Sequence, residues 1–137
     1  METLKLYQIA EERGIKVENF SLPKTGSVCV SINGSFLIAL DEKLKTRAEE
    51  RVRLAHEIGH CENLAFYNIN ASADVRGKHE SKANRWAINA LVPEEKYYEA
   101  LKMGYTDIHS LAEHFEVTED FMKKAAEHYE NKKIHRR

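Results

Sequence analysis

The sequence predicts an α+β domain in which a small antiparallel sheet packs beside one long helix, with further helices after it. Asn33-Gly34 lies between runs of apolar and β-branched residues, which is typical of a hairpin because both turn residues take positive φ. Thr46 has the pattern of a helix N-terminus, and apolar residues recur after it at three- and four-residue spacing. At 137 residues the chain fits one domain with a substantial core.

The predicted elements follow in order along the chain. The first is a short helix that ends before Gly14, and a turn-rich break at 23–26 precedes strands at 27–32 and 35–40. The long helix runs from Thr46 to about residue 64, with an inner stripe of Ala48, Val52, Ala55 and Gly59. The remaining elements are a loop at 68–78, helices at 79–91, 93–104, 106–115 and 118–129, and a basic, frayed tail at 131–137. Residues 1–130 are expected to form one domain, on which the helical pair 106–130 packs.

The composition excludes several classes of protein. A net charge of -1 favours neither nucleic acid nor an anionic membrane, and no apolar run approaches the roughly 18 residues of a spanning helix. The first residues lack the basic and apolar regions of a secretory signal. Cys29 and Cys61 have no framework spacing, so reduced thiols and a cytoplasmic protein are expected.

The segment HEIGH at residues 56–60 has the spacing of a metal site. His56 and His60 lie one helical turn apart on one face, where each imidazole can offer a nitrogen to one cation at about 2.0–2.1 Å. Glu57 projects from the neighbouring face, where it can reach a water without binding the metal itself. The alternative interpretation is a charged helix with two surface histidines.

A catalytic zinc needs a third protein ligand, and four residues after His60 are candidates. Glu62 lies on the side of its helix that faces away from His60, and His79 points about 100° away from Glu80 round its own helix. Asp74, in the predicted loop, is not excluded as a ligand. Glu80 is favoured because a carboxylate on a mainly small and apolar face needs a partner such as a metal. The alternative is that Glu80 only stabilises its helix N-terminus. The other residues of that face are Ala83, Asn84, Ala87 and Leu91.

The segment AHEIGH followed by ESKANRWAINALVP resembles the ImmA/IrrE family of metallopeptidases. The resemblance covers residues 26–93, with Trp86 in place of the usual phenylalanine and Val92 in place of the usual methionine. It implies a zincin-like fold, with zinc as cofactor. It also implies that His56, His60 and Glu80 are the zinc ligands and that Glu57 is the catalytic acid/base.

The resemblance further implies a zinc-dependent endopeptidase of the phage or mobile-element type, whose substrate is a helix-turn-helix transcriptional repressor. The oligomeric state is left open. The strand at 35–40 could pair with an extended substrate through an open edge, unless that edge is covered. The oxyanion that forms during amide hydrolysis needs a hydrogen-bond donor, and four residues could supply it: Tyr97, Tyr98, Tyr105 and His109. Side chains of this kind more often serve in packing.

Two other functions compete with proteolysis. Residues 111–118 resemble a helix-turn-helix, but Glu116 replaces the usual turn glycine and the second helix is acidic where phosphates would lie. DNA binding is therefore disfavoured, and we expect the pair to pack on the core or contact the substrate. The protein could instead antagonise a repressor without cutting it, or hold a structural metal with Cys61 as fourth ligand, although Cys61 points about 100° away from His60.

Overall fold

The computed structural model describes the backbone of residues 1–22, 26–32, 34–63 and 73–135, and the side chains of these residues except 32, 63, 73–79 and 135. Within this part of the chain, six helices and a three-stranded sheet form an α+β fold, as the sequence predicts. The elements are α1 (Thr3–Glu12), β1 (Ile15–Phe20), β2 (Ser27–Ile32), β3 (Ser35–Asp41), α2 (Arg47–Asn63), α3 (Ala73–Leu91), α4 (Glu94–Lys102), α5 (Ile108–Phe115) and α6 (Glu119–His135).

Strand β1 is not among the elements that the sequence predicts. After α1 ends, Gly14 reverses the chain at φ +70°, and β1 then pairs in parallel with β3, Ile15 opposite Phe36. Only Ile15 and Val17 give β1 an apolar alternation, which is too short a pattern to predict a strand. The sheet is therefore mixed rather than purely antiparallel.

The strand order is β1-β3-β2, which places β3 in the centre of the sheet. Ile38, Ala39 and Leu40 are consecutive and all buried, as expected for a central strand with a neighbour along each edge. Of the two alternatives for this strand, an open edge that binds a substrate or a covered edge, the structure supports the covered edge, because β1 pairs along it. In the described sheet, β2 is an edge strand instead.

The predicted hairpin between β2 and β3 is confirmed. The strands pair antiparallel, Ser27 opposite Leu40, and Gly34 takes φ +80° in the turn, while Asn33 lies outside the described residues. Val28 and Val30 are exposed on one face of β2. Ser27 and Cys29 therefore lie on the opposite face, which packs towards α2, because side chains alternate along a strand.

Helix α2 begins as predicted, with the Thr46 hydroxyl accepting a hydrogen bond from the Glu49 amide at 3.1 Å. Its buried face differs in part from the predicted stripe. Ala55 and Gly59 are buried, but Ala48 and Val52 are only half-buried. The core face instead centres on Leu54 and Ile58, both fully buried, because the helix is covered by the sheet as well as by α3.

Helix α3 begins at Ala73, so the prediction of a loop through residue 78 is wrong for residues 73–78; residues 68–72 lie outside the described part. The first buried residue described in α3 is Ala83. The sequence of these first turns has no apolar period, but it includes alanine, arginine and lysine, which favour a helix by intrinsic propensity alone. Consequently Glu80 lies about two turns inside the helix, beyond the reach of the dipole at its N-terminus.

The C-terminal helices pack as a helical pair. The Asp107 side chain caps α5, and Glu116 follows its end in the left-handed region, at φ 55° and ψ 50°. Arg51 of α2 is buried and donates to the Glu116 carbonyl at 3.0 Å, which fixes this turn against the rest of the domain. The Tyr129 hydroxyl of α6 donates to the Val92 carbonyl at 2.5 Å.

Helix α6 continues to His135, so the predicted frayed tail is wrong for residues 131–135, while residues 136–137 lie outside the described part. The break at Val92-Pro93 and the end of α4 near Gly104 follow the prediction. Among the described helices, none has the length and apolar character needed to cross a bilayer.

Candidate metal centre

His56 and His60 lie on one face of α2, a single turn apart. Their Nε2 atoms are 3.1 Å from each other, and the two rings stand nearly perpendicular, at 84°. Both side chains are about one-fifth exposed, at 21% and 18%, so each imidazole is mostly packed but keeps some accessible surface. The helical spacing alone produces this arrangement, as the sequence predicts.

Glu80 of α3 joins the two histidines. One carboxylate oxygen lies 2.8 Å from His60 Nε2 and the other lies 3.2 Å from His56 Nε2. Within the described part of the chain, His56, His60 and Glu80 are the residues that could hold a metal ion, with donor atoms all within 4.8 Å of one another. Two separate helices therefore bring three donors to one point.

Gly59 makes this convergence sterically feasible. A Cβ atom at Gly59 would lie 2.7 Å from the Ala83 carbonyl oxygen and 3.0 Å from its Cα. Both are backbone atoms of α3, so neither can move away without moving the helix. The absence of a side chain in the fourth position of HEIGH lets α3 approach α2, and this approach brings Glu80 to the histidines.

The donor set fits a divalent transition metal. Two imidazoles and one carboxylate are the ligands typical of a catalytic zinc, which keeps a further position for water. Bonds of about 2.0–2.1 Å in a tetrahedral site separate the donors by about 3.3 Å, close to the 3.1 Å between the two histidine nitrogens. Glu80 contacts the two nitrogens through different oxygens, and with one donor atom taken from each residue the separations stay within 4.8 Å.

The electrostatics of His56 also favour metal binding. Burial lowers the pKa of His56 below its ordinary 6.5; among its neighbours, His60 lowers that pKa further, whereas Glu57 and Glu80 raise it. A lowered pKa keeps the imidazole neutral, which is the form that coordinates a metal. The Asn84 side chain hydrogen-bonds His56 and helps to hold the ring.

Glu57 lies on a different face of α2 from the two histidines. It is only 6% exposed, and its Oε2 accepts a hydrogen bond from the Ser27 hydroxyl at 2.7 Å. The Coulombic effect of Glu57 on the pKa of His56 indicates that this carboxylate lies near the donor group without belonging to it. A general base must lie near the metal without being one of its ligands, and among the described residues Glu57 is not part of the donor group.

Cys29 of β2 and Cys61 of α2 form a disulfide, with Cα atoms 6.8 Å apart. The prediction of two reduced thiols is therefore wrong, because the fold brings together two residues that are 32 positions apart in sequence. Cys61 faces β2 rather than α3, so in the disulfide form it is not a fourth metal ligand.

A cleft of about 470 Å³ opens beside His56 and Glu80. Its apolar surface comes from Leu44, Val52 and Phe121, and its charged groups include Arg53 and Lys124. The first turn of α6 thus forms a wall of the cleft, opposite residues of α2 and α3. The other residues that line the cleft are Glu49, Thr118, Asp120 and Asn84.

Several candidates from the sequence lie elsewhere. Glu62 contacts Arg13, away from the histidines, as predicted. The side chains of Asp74 and His79 lie outside the described residues. The four candidate oxyanion donors are absent from the lining of the cleft. Tyr97 stacks on Tyr129 and donates a hydrogen bond to Glu130, and Tyr98 packs edge-on against Tyr97. Tyr105 stacks on His114, and His109 lies between Glu113 and Glu119.

The fold and the His–His–carboxylate group beside a buried glutamate are typical of a metallopeptidase. The chain belongs to the Peptidase_M78 family: the model of its IrrE N-terminal-like domain matches residues 10–127. This match confirms the resemblance to the ImmA/IrrE family.

Comparison with solved structures supports the same fold. A Mycobacterium tuberculosis transcriptional regulator is similar to this chain, with a TM-score of 0.65 and 19% sequence identity. The alignment covers 87% of this chain and 39% of the regulator, so the chain spans about two fifths of that protein's length. A search of curated proteins gave no significant match.

Proposed function

We propose that the protein is a zinc-dependent endopeptidase that cleaves a helix-turn-helix transcriptional repressor and so derepresses phage or mobile-element genes. The observation that carries the proposal is the convergence of His56, His60 and Glu80 beside a buried Glu57. The similar chain described as a transcriptional regulator agrees with a role in gene regulation. A repressor substrate also implies a cytoplasmic protein, in which the Cys29–Cys61 disulfide forms only under oxidising conditions.

In this mechanism His56, His60 and Glu80 would hold the zinc, which supplies an acidified water and polarises the substrate carbonyl. Glu57 removes a proton from the attacking water and then delivers it to the departing amine. Asn84 holds the His56 ring, and the buried position of Glu57 keeps bulk water from competing for its proton.

An extended substrate would lie between β2 and the cleft. Strand β2 is an edge of the described sheet, and its backbone can pair with a peptide strand as an added neighbour. Side chains of the substrate would then reach the apolar surface formed by Val52 and Phe121. A peptidase that works on extended backbone requires a locally unfolded or loop segment, so we expect cleavage in a linker rather than inside a folded repressor domain.

The test is co-expression with candidate helix-turn-helix repressors from the same genome, with fragments identified by intact mass. Wild-type protein should cut the repressor. Glu57→Gln should retain zinc but lose cleavage by about 10²–10⁴-fold, because proton transfer is removed. Glu62→Gln is the matched control, since it changes an exposed carboxylate of the same helix that faces Arg13. His56→Ala should lose both zinc and cleavage.

The rival functions give different results in the same experiment. Derepression without repressor fragments, equally strong in Glu57→Gln, would favour a stoichiometric anti-repressor. Retention of operator DNA by the full-length protein at physiological salt would favour DNA binding through α5 and α6. A Glu57→Gln variant that still cuts the repressor would refute the assignment of Glu57 as the acid/base.

A further inference from the structure

We infer that Ser27 is a positioning residue for the reaction: its hydroxyl orients the Glu57 carboxylate so that one defined oxygen handles the proton. This inference rests on the proposed peptidase function. Ser27 is outside HEIGH and 30 residues before Glu57, and the motif itself gives no reason to single it out.

The contact between Ser27 and Glu57 is short and shielded from water. The hydroxyl donates to Glu57 Oε2 at 2.7 Å, and the two residues are each 6% exposed. A hydrogen bond to a charged carboxylate is stronger than one between neutral groups, and burial removes water as a competing donor. The bond therefore restricts rotation of the carboxylate more than a similar contact at the surface would.

The backbone around Ser27 is itself held on two sides. The Asp41 amide donates to the Gly26 carbonyl at 3.0 Å, which extends the pairing with β3 past Ser27. Two residues along β2, on the same face, Cys29 is joined to Cys61. Cys61 lies one helical turn after Glu57, so the strand and helix touch at two points on matching faces. Ser27 therefore cannot shift along α2 without displacing the strand.

The chemistry needs one carboxylate oxygen kept for the water. Oε2 accepts the Ser27 hydrogen bond, and no described residue donates to Oε1. As the oxygen of the water bonds to the carbonyl carbon, one of its protons passes to Oε1. The same proton passes to the amide nitrogen as the carbon–nitrogen bond breaks, which leaves a carboxylic acid and an amine. Without the Ser27 bond, either oxygen can take the proton, and the one that faces β2 cannot return it to the amine.

The experiment compares four full-length, zinc-loaded proteins: wild type, Ser27→Ala, Ser27→Thr and Ser31→Ala. Ser31→Ala is the matched control, because it removes an exposed hydroxyl from the same strand. With the purified repressor as substrate, Ser27→Ala should lower kcat by about 10–100-fold with KM unchanged, the pattern of an interaction used in the transition state. Ser27→Thr keeps the hydroxyl and should restore most of kcat.

Measurements that do not depend on activity separate positioning from folding. The zinc content of Ser27→Ala should match the wild type, and its thermal midpoint should fall by only several degrees, because a buried carboxylate loses one hydrogen bond while the fold is kept. Its crystal structure should show the Glu57 carboxylate rotated or spread over several rotamers, while His56 and His60 stay in place. A Glu57 carboxylate that keeps its orientation in Ser27→Ala overturns the inference, as does an unchanged kcat. A wild-type protein that fails to cut while Glu57 moves as expected would instead refute the proposed function.

Discussion

Helix α2 contacts α3 on one side and β2 on the other, and the two contacts use different chemistry. On the α3 side, two imidazole nitrogens and a carboxylate converge within 4.8 Å, and one cation can satisfy all three. On the β2 side, a hydroxyl–carboxylate hydrogen bond and a disulfide join the two elements through protein groups alone. The α3 side should therefore respond to metal, and the β2 side to reduction and to loss of a hydroxyl.

The sequence interleaves these two sides within six residues. His56 and His60 form one pair at four-residue spacing, and Glu57 and Cys61 form a second pair one position later, about 100° round the helix. The first pair faces Glu80 of α3, and the second faces β2. The glutamate of HEIGH is thus separated from the metal ligands because it belongs to the face that the strand covers.

Removal of a ligand from the α3 side should have the largest effect. Zinc sites in small proteins bind with about 10–16 kcal/mol, so the loss of one of three ligands in Glu80→Gln should cost roughly 3–5 kcal/mol, or about 10²–10⁴-fold in affinity. Competition with a chelator of known affinity measures this directly. Glu62→Gln should bind zinc as the wild type does. Equal affinity for Glu80→Gln and wild type would remove α3 from the metal site.

Opening the disulfide should have the next largest effect, confined to the β2 side. A closed loop that spans 32 positions restricts the unfolded chain, and the chain-entropy account gives about 3–4 kcal/mol of stability for a loop of this length. Denaturant unfolding with and without dithiothreitol should show this difference for the wild type and none for a Cys29→Ser, Cys61→Ser double variant. Two titratable thiols in the air-oxidised wild type would contradict the bond.

Gly59→Ala should have a smaller effect on stability and should act mainly on the α3 side. The added methyl group must displace the α3 backbone at Ala83, and overpacking of this kind costs about 1–3 kcal/mol. Alanine regains up to about 1 kcal/mol of helix propensity, so the net loss of stability is modest. Zinc affinity should nevertheless fall, since Glu80 moves with α3. Unchanged zinc affinity would show that the close approach is not needed to place this ligand.

Local patterns in the sequence were sufficient for the α3 side. Helical periodicity places His56 and His60 on one face of α2 and Glu80 on one face of α3. Gly59 is the position between the two histidines where a missing side chain allows close approach. Even the error in the start of α3 left this prediction intact, because the phase of a helix does not depend on where it begins. It changed only the explanation that Glu80 serves the helix N-terminus.

The β2 side could not be predicted in the same way. Ser27 and Cys29 are ordinary strand residues, and their partners on α2 become neighbours only when the sheet packs on the helix. The parallel pairing of β1 with β3, which makes β3 the central strand, is also a long-range contact with a weak local signal. A period-two alternation predicts which strand residues share a face, but not which element covers that face.

The smallest expected effect is the response of the metal-free α3 side to pH. Burial holds the pKa of His56 below 6.5 in the folded protein, so the unfolded chain takes up a proton at this residue first as the pH falls. The stability contributed by the neutral imidazole is complete above pH 6.5 and is lost as the pH falls through the folded pKa. In chelator-treated protein, His56→Gln should therefore flatten the decline in unfolding free energy below pH 6.5, whereas His109→Gln, at an exposed position, serves as the control. An equal decline in unfolding free energy in the wild type and in His56→Gln would mean that the metal-free folded state accepts a charged imidazole at this position. The protein environment of His56 would then not favour the neutral imidazole that binds metal.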